Sequence, residues 1–279
     1  MRFFSSSKAA PQAKGSPADS SAGRAVPEGA AAPQANGSPA ARAPGVAAAQ
    51  GAEAAPGLHI LVLADEPVNR LWSEFGHATL RAADLILSCG DLPATYLSYI
   101  TCFTSAPVIY VHGNHDHAYA ENPVEGCICA DGHVILAKGL RILGLDGSMR
   151  YRPGAPCMYS EPEMETRIAK LKRELKQTGG FDILLTHSPI AGLGDQPDLP
   201  HRGFECFKGL LRDNRPAVMF HGHVHQAYSG ANFTRIREFE GIPVINACGS
   251  FEYDFPGDYV PKGVAKPRGV KRMQKQSEP

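Results

Sequence analysis

Five short, predominantly apolar β-rich runs, at 58–64, 84–88, 107–111, 181–185 and 217–220, constrain this chain more than any other feature. Each is short for a buried helix, and none alternates as a strand with one wet face should. Strands covered on both faces read this way, so the expectation is a layered α/β fold with helices drawn from the intervening segments. Further runs at 133–137, 140–145 and 242–247 add strands, enough for two sheets. One helix is well specified. Ser160 and Glu163 form an S-x-x-E capping box with Pro162 in the first turn, Met164, Ile168, Leu171 and Leu175 recur on one face, and Gly179-Gly180 stops it. Its other face carries Arg167, Lys170, Lys172, Arg173 and Lys176, a pattern read as solvation.

The segments outside these runs have a different character. Residues 1–57 are dominated by Ala, Pro, Gly and Ser, with too little apolar bulk to order themselves, and are expected to be a disordered leader. Residues 256–279 read as a flexible basic tail, leaving 58–255 as the folded domain. The 28 basic and 28 acidic side chains of the whole chain balance, but the leader holds five and three and the tail six and two, so 58–255 holds 17 and 23, a net of −6. A folded part of that sign attracts cations and argues against a nucleic-acid partner. No apolar run reaches the ~18 residues of a membrane span, and prolines and a lysine interrupt any secretory leader, so the expected location is the cytoplasm. The seven cysteines are odd in number and lack a disulfide-scaffold spacing, which fits reduced thiols. Cys127 and Cys129 form a C-x-C pair, but no second pair completes a zinc site. Nothing in the pattern sets an oligomeric state.

The residues just beyond the five strands carry the chemistry. The first run ends at Asp65, the second leads to Gly90-Asp91, the third to Gly113-Asn114-His115-Asp116, the fourth to His187 and the fifth to His221-Gly222-His223-Val224-His225. In α/β sheets ligands bind in the crevice beyond the carboxyl ends of the strands, so these groups converge although they are far apart in sequence. Carboxylate, amide carbonyl and neutral imidazole suit borderline divalent ions such as Mn, Fe, Zn, Ni or Co. Six of the eleven histidines fall in two of these loops, and the alternation of His223 and His225 at a strand end fits two metal ligands. Glycines at 90, 113 and 222 allow the backbone to approach closely beside them.

Taken in order, these blocks resemble the calcineurin-like metallophosphoesterase family, whose signature runs D-x-H, G-D, G-N-H-[DE], a lone His and G-H-x-H. Four of the five blocks match over about residues 58–255, and the segment 187–207 with Gly194-Asp195 looks like the small-domain branch. The resemblance implies a four-layer αββα sandwich of two mixed sheets flanked by helices, and two metals bridged by Asp91. It places Asn114, His187 and His223 on one metal and Asp65 and His225 on the other. It puts His115 near the leaving group, and the adjacent Asp116 is expected to fix its ring orientation. The departure lies in the first block, where Asp65-Glu66-Pro67 stands for D-x-H. Proline has no metal-binding side chain, so one position is short of a ligand unless Glu66, Asn69 or a nearby histidine moves in.

The implied activity is hydrolysis of a small phosphodiester or phosphomonoester by a metal-activated water. A degenerate relative that binds metal or a partner without turnover is the alternative that Pro67 raises. A nuclease would need a basic track that the domain lacks. The irregular segment 188–203 follows His187 directly, and His201, Arg202, Arg150 and Arg152 are candidates for holding a substrate phosphate as well as for plain surface roles. His112, His117 and His221 flank the ligand loops, whereas His59, His77 and His133 read as ordinary packing or surface residues.

Overall fold

A computed structural model describes residues 57–225 and 233–261. The leader expected at 1–57 and the basic tail expected at 256–279 lie largely outside the described residues. In chain order the strands are β1 (Leu58–Ala64), β2 (Leu85–Ser88), β3 (Val108–Tyr110), β4 (Cys127–Cys129), β5 (Val134–Ala137), β6 (Leu140–Leu145), β7 (Ser148–Met149), β8 (Met158–Tyr159), β9 (Ile183–Thr186), β10 (Val218–His221), β11 (Ile236–Phe239), β12 (Ile242–Asn246) and β13 (Gly249–Phe255). The helices are α1 (His77–Ala82), α2 (Ala94–Thr101), α3 (Glu161–Lys170), α4 (Lys172–Thr178) and α5 (Cys206–Asn214).

Two large mixed sheets form, ordered β13-β1-β2-β3-β4 and β11-β12-β10-β9-β6-β5. Strands β1 to β4 run parallel with β13 antiparallel at the edge, while β6, β9, β10 and β12 run parallel between the antiparallel edges β5 and β11. Successive side chains of a strand point to opposite faces, and that alternation builds the layers. Ile60, Val62, Leu85, Leu87 and Ile109 of the first sheet pack against Ile142, Ile183, Leu185, Val218 and Phe220 of the second. The intervening residues Leu61, Leu63, Ile86 and Val108 face outward onto Leu80, Tyr96, Leu97 and Ile100 of α1 and α2. On the other side Leu143, Leu184, Met219 and Val244 meet Met164 of α3 and Phe207 and Leu211 of α5. The result is the four-layer αββα sandwich expected from the sequence, and both faces of each central sheet are dry, which is why the runs are continuously apolar.

The capping box at Ser160 forms as expected, with the Glu163 carboxylate accepting from the Ser160 amide at 2.7 Å. The helix it starts is interrupted at Leu171, between α3 and α4, before Gly179 ends the second piece in the left-handed conformation. One member of its supposed solvated face turns inward. Arg167 pairs with Asp146 at 2.9 Å and with Asp131, and lies 4.2 Å over the Tyr159 ring. Its length lets the guanidinium reach past the helix edge to the buried Asp146, which it shares with His112, and to the partly buried Asp131. The C-x-C pair forms the edge strand β4 and belongs to no cluster of three metal donors among the described residues. No helix among the described residues is long and apolar enough to cross a membrane.

Candidate metal centre

The parallel strands of both sheets end at one shared edge, and the candidate ligands sit one to four residues past those ends. β1 runs into Asp65, whose amide donates to the Gly90 carbonyl at 3.0 Å, and its Oδ1 accepts the His223 amide at 2.8 Å. That last bond ties the first sheet's loop to the second's. Asp65, Asp91 and His223 all have positive φ (64°, 57° and 69°), a costly backbone conformation for residues with a Cβ. Three such residues at one sheet edge, each a candidate ligand, mark where the fold spends stability on positioning.

Asp91 and Asn114 are held by a reciprocal loop lock. The Oδ1 of Asp91 accepts the His115 amide at 2.7 Å, while the Asp116 Oδ2 accepts the amides of Asp91 (2.8 Å) and Gly113 (2.7 Å). The buried Asp116 carboxylate thus braces the two ligand loops through their backbones. Burial, with the neighbouring Asp91 charge, pushes the Asp116 pKa up to about 6. His115 itself is exposed at the rim.

His187 organises the centre. Its side chain is fully buried; Nδ1 donates to the Cys89 carbonyl at 2.8 Å, and Nε2 faces Asn114 Oδ1 at 3.0 Å and Asp91 Oδ2 at 3.3 Å. With Nδ1 carrying the proton, Nε2 presents a lone pair to two oxygen lone pairs. A cation at that point turns the conflict into coordination. Failing a cation, a proton must serve: burial opposes charging His187, but the Asp91 carboxylate overrides it and raises the pKa to about 9. Asp91 is correspondingly held down to about 2, its burial outweighed by the His187 imidazole. His223 lies beside His187, ring centroids 4.7 Å apart. Burial, then the His187 charge, lowers its pKa to about 3, so it is a neutral, metal-competent imidazole near pH 7. Its Nε2 donates to the Pro200 carbonyl at 2.7 Å, which leaves Nδ1 with the lone pair.

Donor atoms of Asp91, His187 and His223 all lie within 4.8 Å of one another. The residues fit a divalent cation on two further grounds. Asp65 Oδ2 is buried without a hydrogen-bond partner, and burial pushes the Asp65 pKa up, as expected of a carboxylate short of compensation. A Cβ at Gly113 would lie 2.0 Å from Asp91 Oδ1, and one at Gly222 would lie 2.8 Å from Asp65 Oδ2, so both glycines keep the space at the carboxylates open. His225 stands on the far side of Asp65, with Nε2 3.9 Å from Asp65 Oδ1 and Nδ1 3.0 Å from Glu66 Oε1.

The flanking candidates separate. His201 sits beside the centre, its ring 5.2 Å from that of His223 and its Nδ1 2.6 Å from Asp198 Oδ2, because the 188–203 segment folds back to place Pro200 on His223. Arg150 is engaged away from it, donating to Glu163 at 2.9 Å and to the Met158 carbonyl, while Arg152 and Arg202 are exposed. His221 is buried, with Nδ1 donating to the Gly222 carbonyl, and His112 pairs with Asp146 at 3.6 Å. Two residues near the centre escaped the sequence reading. Tyr151 accepts from Asn114 Nδ2 at 3.2 Å, a contact with no signal in the sequence. Asp146 follows β6 just as Asp65 follows β1, so the rule that found the other strand-end residues would have found it.

Residues 59–258 match the calcineurin-like phosphoesterase superfamily domain, and the chain belongs to that family. Among curated proteins none matches the sequence. One solved structure, described only as a crystal structure, superposes with a TM-score of 0.52 at 14% identity, covering 69% of this chain and 91% of that one. The protein TT1561 of Thermus thermophilus has a TM-score of 0.48 at 17% identity, covering 69% and 90%. A protein described as a novel archaeal phosphodiesterase has a TM-score of 0.32 at 12% identity, covering 69% and 84%.

Proposed function

We propose that this chain is a metal-dependent phosphoric ester hydrolase acting on a small phosphodiester or phosphomonoester in the cytoplasm, where its seven thiols would stay reduced. The observation that carries the reading is His187, its Nδ1 committed to a carbonyl and its Nε2 turned onto the Asn114 and Asp91 oxygens at a buried point. Asp91, Asn114, His187 and His223 would hold one divalent ion, with Asp65 and His225 available to a second; Mn, Fe, Zn, Ni and Co all suit the donors. Such ions supply charge to the phosphate oxygens and lower the pKa of a bound water toward neutrality.

The chain's own residues would do the rest. Asp116 keeps the Asp91 and Gly113 loops in register, so that Asp91 presents Oδ2 inward while Oδ1 is occupied by the His115 amide. That same amide bond fixes the backbone of His115, whose exposed ring lies at the mouth, where it would donate a proton to the departing alkoxide. His201, held by Asp198 beside His223, would contact the substrate. The net −6 of residues 58–255 favours a small ester over a polynucleotide.

Hydrolysis of bis-p-nitrophenyl phosphate by chelator-stripped protein, with each metal restored in turn and Asp91→Asn as control, tests the reading. Metal-restored turnover that the control lacks is expected. Tight metal binding with no turnover of diesters or monoesters would favour the second reading, a metal-binding relative without catalysis, which Pro67 supports by removing a ligand of the family signature.

A further inference from the structure

A small cavity beside the metal centre has walls that include Gly194, Asp195, His221, Thr234, Arg237 and Asn246, and it measures about 290 Å³ with its open mouth included. β10 ends in His221, two residues before His223, and the segment that sets Pro200 on His223 also supplies Gly194 and Asp195. Two nitrogens in this wall are left over. His221 is 2% exposed; its Nδ1 donates to the Gly222 carbonyl, so Nε2 carries the lone pair, and none of the described residues bonds to it. Arg237 Nε is buried and also has no hydrogen-bond partner. Both nitrogens face one point. An atom standing where Gly194 lacks a Cβ would lie 3.6 Å from Arg237 Nε and 3.7 Å from His221 Nε2.

Charge adds a second constraint. No carboxylate of the described residues pairs with Arg237, and residues 226–232, which precede its strand, contain no acid. Arg235, two residues back, gives its Nη1 to the carbonyls of Asn246 and Cys248 and meets no carboxylate among the described residues either. The carboxylate of the cavity itself, Asp195, accepts the amides of Gly192 and Gly203, one on each oxygen. In a domain of net −6, a half-buried guanidinium with no counter-ion in a cavity wall marks a place for an anion.

The imidazole narrows the kind of anion. Burial keeps it neutral, with the His187 and Arg237 charges acting in the same direction, so its lone pair repels a fully deprotonated oxyanion and accepts from an O–H. Hydrogenphosphate, or a singly protonated phosphomonoester, offers charged oxygens to the guanidinium fork and a hydroxyl to His221. Sulfate offers only the first.

We propose that this cavity binds a protonated phosphate group, held by Arg237 through its charged oxygens and by His221 Nε2 through its hydroxyl. The group is free phosphate or the terminal phosphate of a larger molecule entering by the mouth. The site uses none of the candidate metal ligands, so it stands apart from the metal-dependent reading.

Calorimetric titration of the chelator-stripped full-length chain at about pH 6, where phosphate and its monoesters hold a proton, tests this with sodium phosphate, sodium sulfate and glycerol 3-phosphate. Phosphate should bind, and sulfate should bind at least about tenfold more weakly. Arg237→Met, which keeps the stem, should weaken phosphate by about tenfold or more, and His221→Asn, which keeps a donor for the Gly222 carbonyl, should erase the preference over sulfate. A phosphate-soaked crystal of the wild type, which depends on no variant folding, should show the ion between Arg237 and His221. Binding of glycerol 3-phosphate beside phosphate would support the terminal group as ligand, and binding of phosphate alone would support the free ion. No phosphate bound by the metal-free chain, sulfate bound equally well, an unchanged affinity in Arg237→Met, or water alone between the two nitrogens in the soaked crystal would overturn the proposal. So would phosphate binding that Asp91→Asn abolishes and Arg237→Met spares, since the ion would then sit at the metal centre.

Discussion

Gly113→Ala perturbs the centre without replacing a candidate ligand. Gly113 does not have a left-handed φ, so alanine meets no backbone penalty there, and the effect is purely one of space. The added Cβ would lie 2.0 Å from Asp91 Oδ1, 2.4 Å from Asp91 Cγ and 2.7 Å from the Asp91 amide nitrogen. A side chain can rotate away from a collision, but a backbone nitrogen cannot, and this one is fixed by its bond to Asp116. The 90–91 and 113–114 loops must therefore separate, breaking the bond from the His115 amide to Asp91 and moving Asp91 off His187. Overpacking of this kind costs about 1–3 kcal/mol. For a domain of about 200 residues, each kcal/mol lowers Tm by about 2–4 °C, so a central value near 2 kcal/mol predicts a fall of about 4–8 °C. Thermal unfolding of the chelator-treated protein measures this, and metal content after dialysis measures the displacement of Asp91. A variant with unchanged Tm and unchanged metal content would refute the argument that the glycine exists to let these loops touch.

Three further outcomes rest on other contacts. Asp182 is fully buried and pairs with Arg141 at 2.6 Å while also accepting from Tyr259, so Asp182→Ala leaves a guanidinium buried without its counter-ion and should cost about 3–5 kcal/mol in urea denaturation; a loss below about 1 kcal/mol would mean that water replaces the carboxylate freely. Burial, opposed by the Gly222 carbonyl, lowers the His221 pKa from 6.5 to about 4. The unfolded chain then takes up this proton first as pH falls, so stability present above pH 6.5 declines between there and about 4 by roughly 3 kcal/mol and is level below. Comparing the pH dependence of unfolding in metal-free wild type and His221→Asn isolates that contribution, and parallel curves would contradict it. Tyr151→Phe removes the hydroxyl that accepts from Asn114, and turnover should fall about tenfold with metal stoichiometry retained; unaltered kinetics would show that Asn114 needs no such support.

The parts of the fold that the sequence reveals are those whose signal is local. The central strands announce themselves because parallel strands between two helical layers are apolar on both faces, and Asp65, Asp91, Asn114, His187, His223 and His225 could be placed at one edge because each follows such a strand. The edge strands are harder: β11 reads Ile-Arg-Glu-Phe, with two adjacent charges and no alternation, and β13 reads Gly-Ser-Phe-Glu-Tyr-Asp-Phe, in which polar residues interleave with aromatic ones. Contacts set by packing were not legible at all. Glu66 meets His225 across 159 positions. Arg167 looks like any exposed helical cation until the loops holding Asp131 and Asp146 are placed beneath it. Asp116 shows a different limit, since nothing in its position beside His115 signals the bonds it accepts from the backbone amides of Asp91 and Gly113.

The central claim is that the strand ends hold a divalent ion between His187 and the Asp91 and Asn114 oxygens. Anomalous diffraction from crystals of the full chain grown with manganese or zinc, collected at the metal's absorption edge, tests it most directly. The account predicts a peak within bonding distance of Asp91, Asn114, His187 and His223. A map with no peak there, and with the His187 Nε2 in contact with the two oxygens alone, would contradict it.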